Sequence, residues 1–277
     1  MITGKKQSYK HRDFTGSSHP AKKSLGQNFL VDPNISRKIV AALQVSRGDN
    51  VVEIGPGRGA LTRLLAATGA KVAAVEKDRH LAEQLRRDLS PEIENVEIVS
   101  GDFLEYDFSG HPAGLKVFGN IPYNITSSIV SRLVDQRGRI EAAVLMVQDE
   151  VAARLSARPG TKDYGAISIR LQLVSKVEKL FTVTPACFRP RPRVDSRVIR
   201  IVFMNREPLH NEEDFVRFVK GAFGMRRKMF RHFVAKNYGK GALELLEERY
   251  KTGRVETFTP AELYGIFETL GNDVQNQ

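Results

Sequence analysis

Tryptophan is absent from this 277-residue chain, and cysteine occurs once. A single thiol excludes a disulfide framework and any multi-cysteine metal site. Long apolar runs are also missing. A stretch such as Ala142 to Val147 is far shorter than the ~18 residues a membrane span needs. The N-terminal lysines are followed by no apolar segment, so no secretory signal is expected. The six histidines are scattered without metal-ligand spacing, and no bound metal is expected. What is present is an ordinary globular composition, 41% hydrophobic and 27% charged, long enough for one large domain or a large and a small one. A soluble, cytoplasmic protein with no membrane association is expected.

Charge is the first positive signal. Lysine and arginine total 43 against 32 acids, a formal net charge of +11. The excess is localised. Residues 1–23 carry Lys5, Lys6, Lys10, Arg12, Lys22 and Lys23 against Asp13. Arg189, Arg191, Arg193, Arg197 and Arg200 crowd one segment, and Arg217 to Lys240 contains eight basic residues and no acid. Between Ala41 and Glu150 acids outnumber bases. Basic segments flanking an acidic block suit a polyanion partner such as nucleic acid, although solvated surface charge also accounts for the N-terminal run. Arg226, Arg227, Lys228 and Arg231 are interleaved with Phe223, Met225, Met229 and Phe230. Helical spacing there allows one face to dock on a core and the other to meet phosphate.

Periodicity gives the organisation. Asp32 or Asn34 caps a helix over about 35–43. Strands are expected at Asn50–Ile54, Lys71–Glu76, Val96–Val99, Leu115–Gly119 and Ala142–Val147. Helices are expected at Arg58–Ala67, Arg79–Leu89 and Ile125–Asp135, and from Glu150. Strands alternating with helices of about ten residues imply crossover units and a parallel sheet. After Pro159 the rhythm changes. Lys176–Val183 and Asp195–Met204 alternate apolar and polar residues, as a closing antiparallel pair does. From Pro208 onward the pattern is helical: Glu212–Phe223, Lys228–Lys236, Ala242–Arg249 and Pro260–Leu270. A domain boundary falls near Asn205 to Pro208.

Three candidate site features sit at successive strand ends. Gly55-Pro56-Gly57-Arg58-Gly59 lies where a strand turns into a helix, and glycines there let a ligand approach the backbone. The spacing is G-x-G-x-G and not G-x-G-x-x-G, although the loop alone leaves a dinucleotide open. Glu76 follows Gly57 by 19 residues and ends the next strand, where a carboxylate can accept from both ribose hydroxyls. Asp102, in Ser100-Gly101-Asp102-Phe103, can accept from an adenine amine while the ring packs on the base. Each acid alone fits a turn or cap as well. Together with the glycine loop they outline a nucleoside pocket.

Asn120-Ile121-Pro122-Tyr123 follows the fourth strand at the same edge. An adenine amine is a poor nucleophile because its lone pair is conjugated with the ring. Acceptors that take its hydrogens localise the lone pair. The Asn120 side chain supplies one acceptor, and a main-chain carbonyl held by Pro122 supplies a second. Tyr123 offers a face for a flipped base. Transfer from a sulfonium then rests on positioning and needs no strong base. Phe188, in an arginine-rich loop, can stack on the base's other face, with Arg189 and Arg191 holding phosphates. Cys187 is expected to be a small packing residue.

With these residues in view, the chain resembles the small-subunit (16S) ribosomal RNA adenine dimethyltransferase family from about Lys22 to Leu270. The strings that carry the resemblance are Ser24 to Leu30 (SLGQNFL), Glu53 to Thr62 (EIGPGRGALT), Gly119 to Tyr123 (GNIPY), Val147 to Arg154 (VQDEVAAR), Tyr164-Gly165, and Phe188 to Ser196 (FRPRPRVDS). The resemblance implies an α/β, Rossmann-like methyltransferase sheet, mostly parallel with an antiparallel closing strand, and a small all-helical C-terminal domain. It implies S-adenosyl-L-methionine as methyl donor, held by Asn28, Leu30, Gly55, Glu76, Asp102 and Asn120. It implies dimethylation of two adjacent adenines in the hairpin loop near the 3′ end of 16S rRNA, within the small ribosomal subunit or its precursor. Asn28 and Leu30 come from the resemblance alone. Where the family more often has Gln, this chain has Met225, and Met229-Phe230 stand in place of Thr-Leu.

The expected division is a basic tail (1–21), a methyltransferase domain (22–205) and a helical RNA-contacting domain (206–277), in a monomer. RNA contacts are expected from Arg189, Arg191, Arg226, Arg227, Lys228 and Arg231. Two alternatives compete: a large-subunit rRNA adenine methyltransferase of the antibiotic-resistance type, and a non-catalytic ribosome assembly factor.

Overall fold

The structure, a computed structural model, describes residues 21–22, 25–89, 93–122, 125–204 and 208–274, with side chains to Gly271. The expectations for residues 1–20, for Tyr123 and for the boundary at 205–206 lie outside the described residues.

The chain begins with β1 (Phe29–Leu30) and α1 (Pro33–Ala42), then alternates β2 (Asn50–Ile54), α2 (Thr62–Ala67), β3 (Lys71–Glu76), α3 (Arg79–Asp88) and β4 (Val96–Ser100). It continues with β5 (Leu115–Asn120), α4 (Thr126–Asp135), β6 (Ile140–Gln148), α5 (Asp149–Leu155) and α6 (Ala166–Val174). Then come β7 (Ser175–Val183), β8 (Phe188–Arg189) and β9 (Ser196–Phe203). The C-terminal region is helical: α7 (Glu212–Gly224), α8 (Phe230–Tyr238), α9 (Glu248–Thr252) and α10 (Pro260–Val274).

Seven strands form one sheet in the order β4-β3-β2-β5-β6-β9-β7. The first five are parallel, β9 runs antiparallel to β6, and β7 is antiparallel to β9. Helices cover the parallel strands, so their residues read as continuous apolar runs; Val144, Leu145, Met146 and Val147 are fully buried. Register aligns Ile54 with Val75 and with Gly119, and Glu76 with Ser100. The carboxyl ends of β4, β3, β2 and β5 therefore share one edge.

Local signals explain most boundaries. Asp32 caps α1 by accepting from the Asn34 and Ile35 amides, with Pro33 at the first helical position. The expected helix from Arg58 begins only at Thr62, because Gly57 and Gly59 take φ of +55° and +75°, which no right-handed turn accommodates. The helix expected over Ala242–Arg249 is broken into a short 3-10 turn and α9.

α6 was not expected. Its sequence AISIRLQLV shows no single apolar face. The reason is its position. Leu171 and Val174 join the core beneath the sheet, while Ile169 joins the core of the C-terminal helices. A helix buried on two sides carries no amphipathic period. The second core is built on Phe215, Phe218, Phe230, Phe233 and Phe258, with edge-to-face pairs such as Phe218–Phe233 at 5.4 Å. Tyr164 is fully buried and donates its hydroxyl to the Phe258 carbonyl at 2.9 Å, tying the loop before α6 to the C-terminal helices.

Candidate active site

The loop after β2 is held from several directions. The Gly55 amide donates to the Val75 carbonyl at 2.9 Å, and the Gly57 amide donates to Glu76 Oε2 at 3.0 Å. Arg63 reaches back from α2 and donates Nη1 to the carbonyls of Arg58 (3.0 Å) and Gly59 (2.9 Å). Gly55 has φ of +62°, and a side chain added there would meet nothing within 4 Å. Gly101 also faces open space. The backbone thus borders room for a ligand at the ends of β2 and β4.

Glu76 is 5% exposed, and its Oε1 accepts from the Asp78 amide at 2.9 Å. Burial raises its pKa, and the amides of Asp78 and Gly57 oppose that shift. Asp102 differs. Its Oδ2 pairs with Lys77 Nζ at 2.6 Å and its Oδ1 accepts from the Leu104 amide, and the Lys77 bond holds its pKa below the usual carboxylate range. Phe103, expected to pack on a base, is 4% exposed and lies edge-on to Phe108 in the core. It anchors the turn that presents Asp102.

Asn120 closes β5, and its Nδ2 donates to the Asn28 carbonyl at 2.9 Å. With the donor side of the amide engaged, its oxygen is not spent on this bond. Gly119 lets β5 approach β2 closely: a Cβ there would come within 2.8 Å of the Ile54 Cβ. The Pro122 carbonyl accepts from the Ile125 amide (3.2 Å) and the Thr126 hydroxyl (3.3 Å), so it opens α4. The Pro122 carbonyl is thus engaged within the chain, which leaves the Ile121 carbonyl as the candidate for the second acceptor expected here.

The structure brings Gly55, Glu76, Asp102 and Asn120 to adjacent strand ends, and Asn28 and Leu30 beside them through β1. That placement depends on a feature the sequence pattern did not reveal. β1 pairs antiparallel with β8, Phe29 opposite Arg189 and Leu30 opposite Phe188. Phe29 also packs beneath the glycine loop, 3.1 Å from where a Gly57 Cβ would lie, and Arg58 stacks over its ring at 4.6 Å. Two-residue strands give no periodic signal, so neither was legible.

Two expectations change. Phe188 is 1% exposed and belongs to the core with Leu30, Ile39 and Val183. Its ring anchors the arginine loop and presents no stacking face; truncating it would cost ~3–5 kcal/mol. Arg226 is bound within the chain, pairing with Glu256 and donating to the carbonyls of Lys162 (3.0 Å) and Thr161 (3.1 Å). It fastens the loop before α6 to the C-terminal helices. Arg227, Lys228 and Arg231 are exposed, the first two on the turn between α7 and α8 and the last in the first turn of α8. Arg189, which ends β8, and Arg191, on the loop after it, are exposed.

The family model described as ribosomal RNA adenine dimethylase matches residues 18–271. A relative from Prosthecochloris aestuarii, named ribosomal RNA small subunit methyltransferase A, is 43% identical over 96% of this chain and 98% of its own. A dimethyladenosine transferase from Plasmodium falciparum has a similar structure, with a TM-score of 0.80 and 26% identity over 88% of this chain and 98% of its own. The 23S rRNA methyltransferase ErmE follows, with a TM-score of 0.68 and 28% identity over 88% of this chain and 99% of its own. A mostly parallel sheet whose strand ends assemble a glycine loop, two carboxylates and Asn120, matched by this family over residues 18–271, makes the chain a member of the ribosomal RNA adenine dimethylase family.

Proposed function

We propose that this enzyme transfers methyl groups from S-adenosyl-L-methionine to the 6-amino groups of two adjacent adenines in the 3′-terminal hairpin loop of 16S rRNA. The observation that carries the reading is the alignment of Gly55, Glu76, Asp102 and Asn120 along one sheet edge in a chain that matches a small-subunit enzyme over nearly its whole length. The residues fit the donor. Open space borders Gly55 and Gly101, and a buried carboxylate on β3 stands where a ribose would lie. The donor supplies an electrophilic methyl group on a sulfonium.

Glu76 accepts from the donor's ribose hydroxyls, and Asp102 accepts from its adenine amine. Gly55 would admit the donor close to the backbone, and Asn28 and Leu30 are assigned to hold it as well. Asn120 Oδ1 and the Ile121 carbonyl accept the hydrogens of the target amine and orient its lone pair toward the methyl group. Pro122 fixes that turn, and Tyr123 is assigned the base's face. Arg189, Arg191, Arg227, Lys228 and Arg231 hold RNA phosphates. The enzyme acts as a monomer in the cytoplasm on the small subunit or its precursor.

The test uses isotopically labelled S-adenosylmethionine and small subunits lacking the modification, with the digested RNA read by mass spectrometry. Dimethyladenosine at two adjacent loop positions is expected. Label in large-subunit RNA instead would transfer the assignment to the 23S type. Tight subunit binding without label in either RNA would leave an assembly factor.

A further inference from the structure

Asp78 does not belong to the strand-end set, yet three parts of the site converge on it. Its side chain is 1% exposed, just past the end of β3. Its Oδ2 pairs with Lys22 Nζ at 2.9 Å and also accepts from Gln27 Nε2 at 3.4 Å. Its Oδ1 caps α3 by accepting from the His80 amide, and its own amide donates to Glu76 Oε1 at 2.9 Å. Gln27 in turn accepts from the Lys22 amide at 2.8 Å, closing a ring between the segment before β1 and the end of β3.

That segment crosses the carboxyl edge of the sheet. Beyond Gln27, the Asn28 carbonyl is held by Asn120, Phe29 packs under Gly57, and Phe29 and Leu30 pair with β8. Among the described residues, Asp78 fastens its leading end, and it does so through a buried carboxylate that gives up water to meet one half-exposed ammonium.

We propose that Asp78 is a positioning residue: paired with Lys22 and Gln27, it latches residues 25–30 across the methyl-donor pocket and so sets donor affinity and not the rate of methyl transfer. The inference rests on the assignment of Glu76 and Asn28 to the donor. Asp78 touches no reacting atom; it acts through the carboxylate it orients and the segment it holds.

The test compares the full chain with Lys22→Met, Lys22→Arg, Asp78→Asn and Glu76→Ala. S-adenosylmethionine binding is measured by calorimetry, amide hydrogen exchange is followed over residues 25–30, and KM and kcat are separated on small subunits. Loss of one charge-assisted bond predicts donor binding about tenfold weaker in Lys22→Met and Asp78→Asn. Exchange at Leu25 to Leu30 should be faster, and kcat at saturating donor should stay within about twofold of wild type. Lys22→Arg restores binding. Lys22 is on the surface, so Lys22→Met carries the test even if Asp78→Asn does not fold. Wild-type donor affinity in Lys22→Met, or a fall in kcat with KM unchanged, overturns the latch when Glu76→Ala has lost binding. Undiminished binding by Glu76→Ala overturns the pocket assignment itself, and the latch with it.

Discussion

The Asn120 carboxamide and the Asn28 carbonyl meet at 2.9 Å across 92 positions of sequence. One bond joins the end of β5 to the segment before β1. It engages the donor end of the Asn120 amide, which leaves the oxygen unspent on that bond, as the proposed acceptor role requires.

Replacing Asn120 with alanine removes that acceptor and no phosphate contact. Methyl transfer should fall by about 10²-fold or more, because the target amine loses its alignment. Affinity for small-subunit RNA should stay within about twofold. The unpaired Asn28 carbonyl should cost about 1 kcal/mol of stability. Single-turnover methylation and filter binding on the same preparation separate the effects, and a large loss of RNA affinity would contradict the assigned role.

Gly55 and Gly59 should respond differently to alanine. At Gly55 the added carbon meets no protein atom, so the stability cost is that of the left-handed backbone, about 1 kcal/mol. It would nevertheless enter donor space, and donor binding should drop more than tenfold. At Gly59 the carbon would lie 2.4 Å from Leu85 Cδ1 and 2.5 Å from Arg63 Nη1. Displacing Arg63 breaks its bonds to the loop carbonyls, so a loss of about 2 kcal/mol or more is expected. Urea unfolding and calorimetric titration with S-adenosylmethionine distinguish the two sites.

Neighbouring arginines on the α7–α8 turn should separate as well. Arg227→Ala removes an exposed charge and should lower the salt slope of RNA binding by about 1, with the melting temperature unchanged. Arg226→Ala should leave that slope alone and lower the melting temperature by several degrees, since it frees Glu256 and the Thr161–Lys162 loop. Identical salt slopes for Arg227→Ala and wild type would remove Arg227 from the RNA surface.

Glu53 makes stability depend on pH. Burial pushes its carboxyl from the ordinary 4.5 up to about 7, with the Glu76 charge adding to the shift. A raised folded pKa means the folded state holds this proton more tightly than the unfolded state does. Its contribution is therefore greatest below about 4.5, declines as pH rises toward about 7, and is lost above that. Over this window wild type should lose about 3 kcal/mol relative to Glu53→Gln. Denaturant unfolding at pH 5, 6, 7 and 8 checks it; parallel curves for the two proteins would refute it.

The sequence by itself determined the alternation of strands and helices, the parallel sheet with its antiparallel closing pair, and the strand ends that bear Gly55, Glu76, Asp102 and Asn120. Those features are local: apolar runs of strand length, glycines at a turn, and acids at fixed offsets from both. Tertiary structure decided the rest. α6 was illegible because two cores bury opposite sides of it. β1 and β8 are too short for any period and exist only because each supplies the other's hydrogen bonds. Phe188 and Arg226 read as ligand contacts from composition, but one ring is enclosed by the core and one guanidinium by Glu256 and two carbonyls. Burial and partner choice are properties of distant segments brought together, so they were settled only when the segment before β1 crossed the sheet and the C-terminal helices closed on α6.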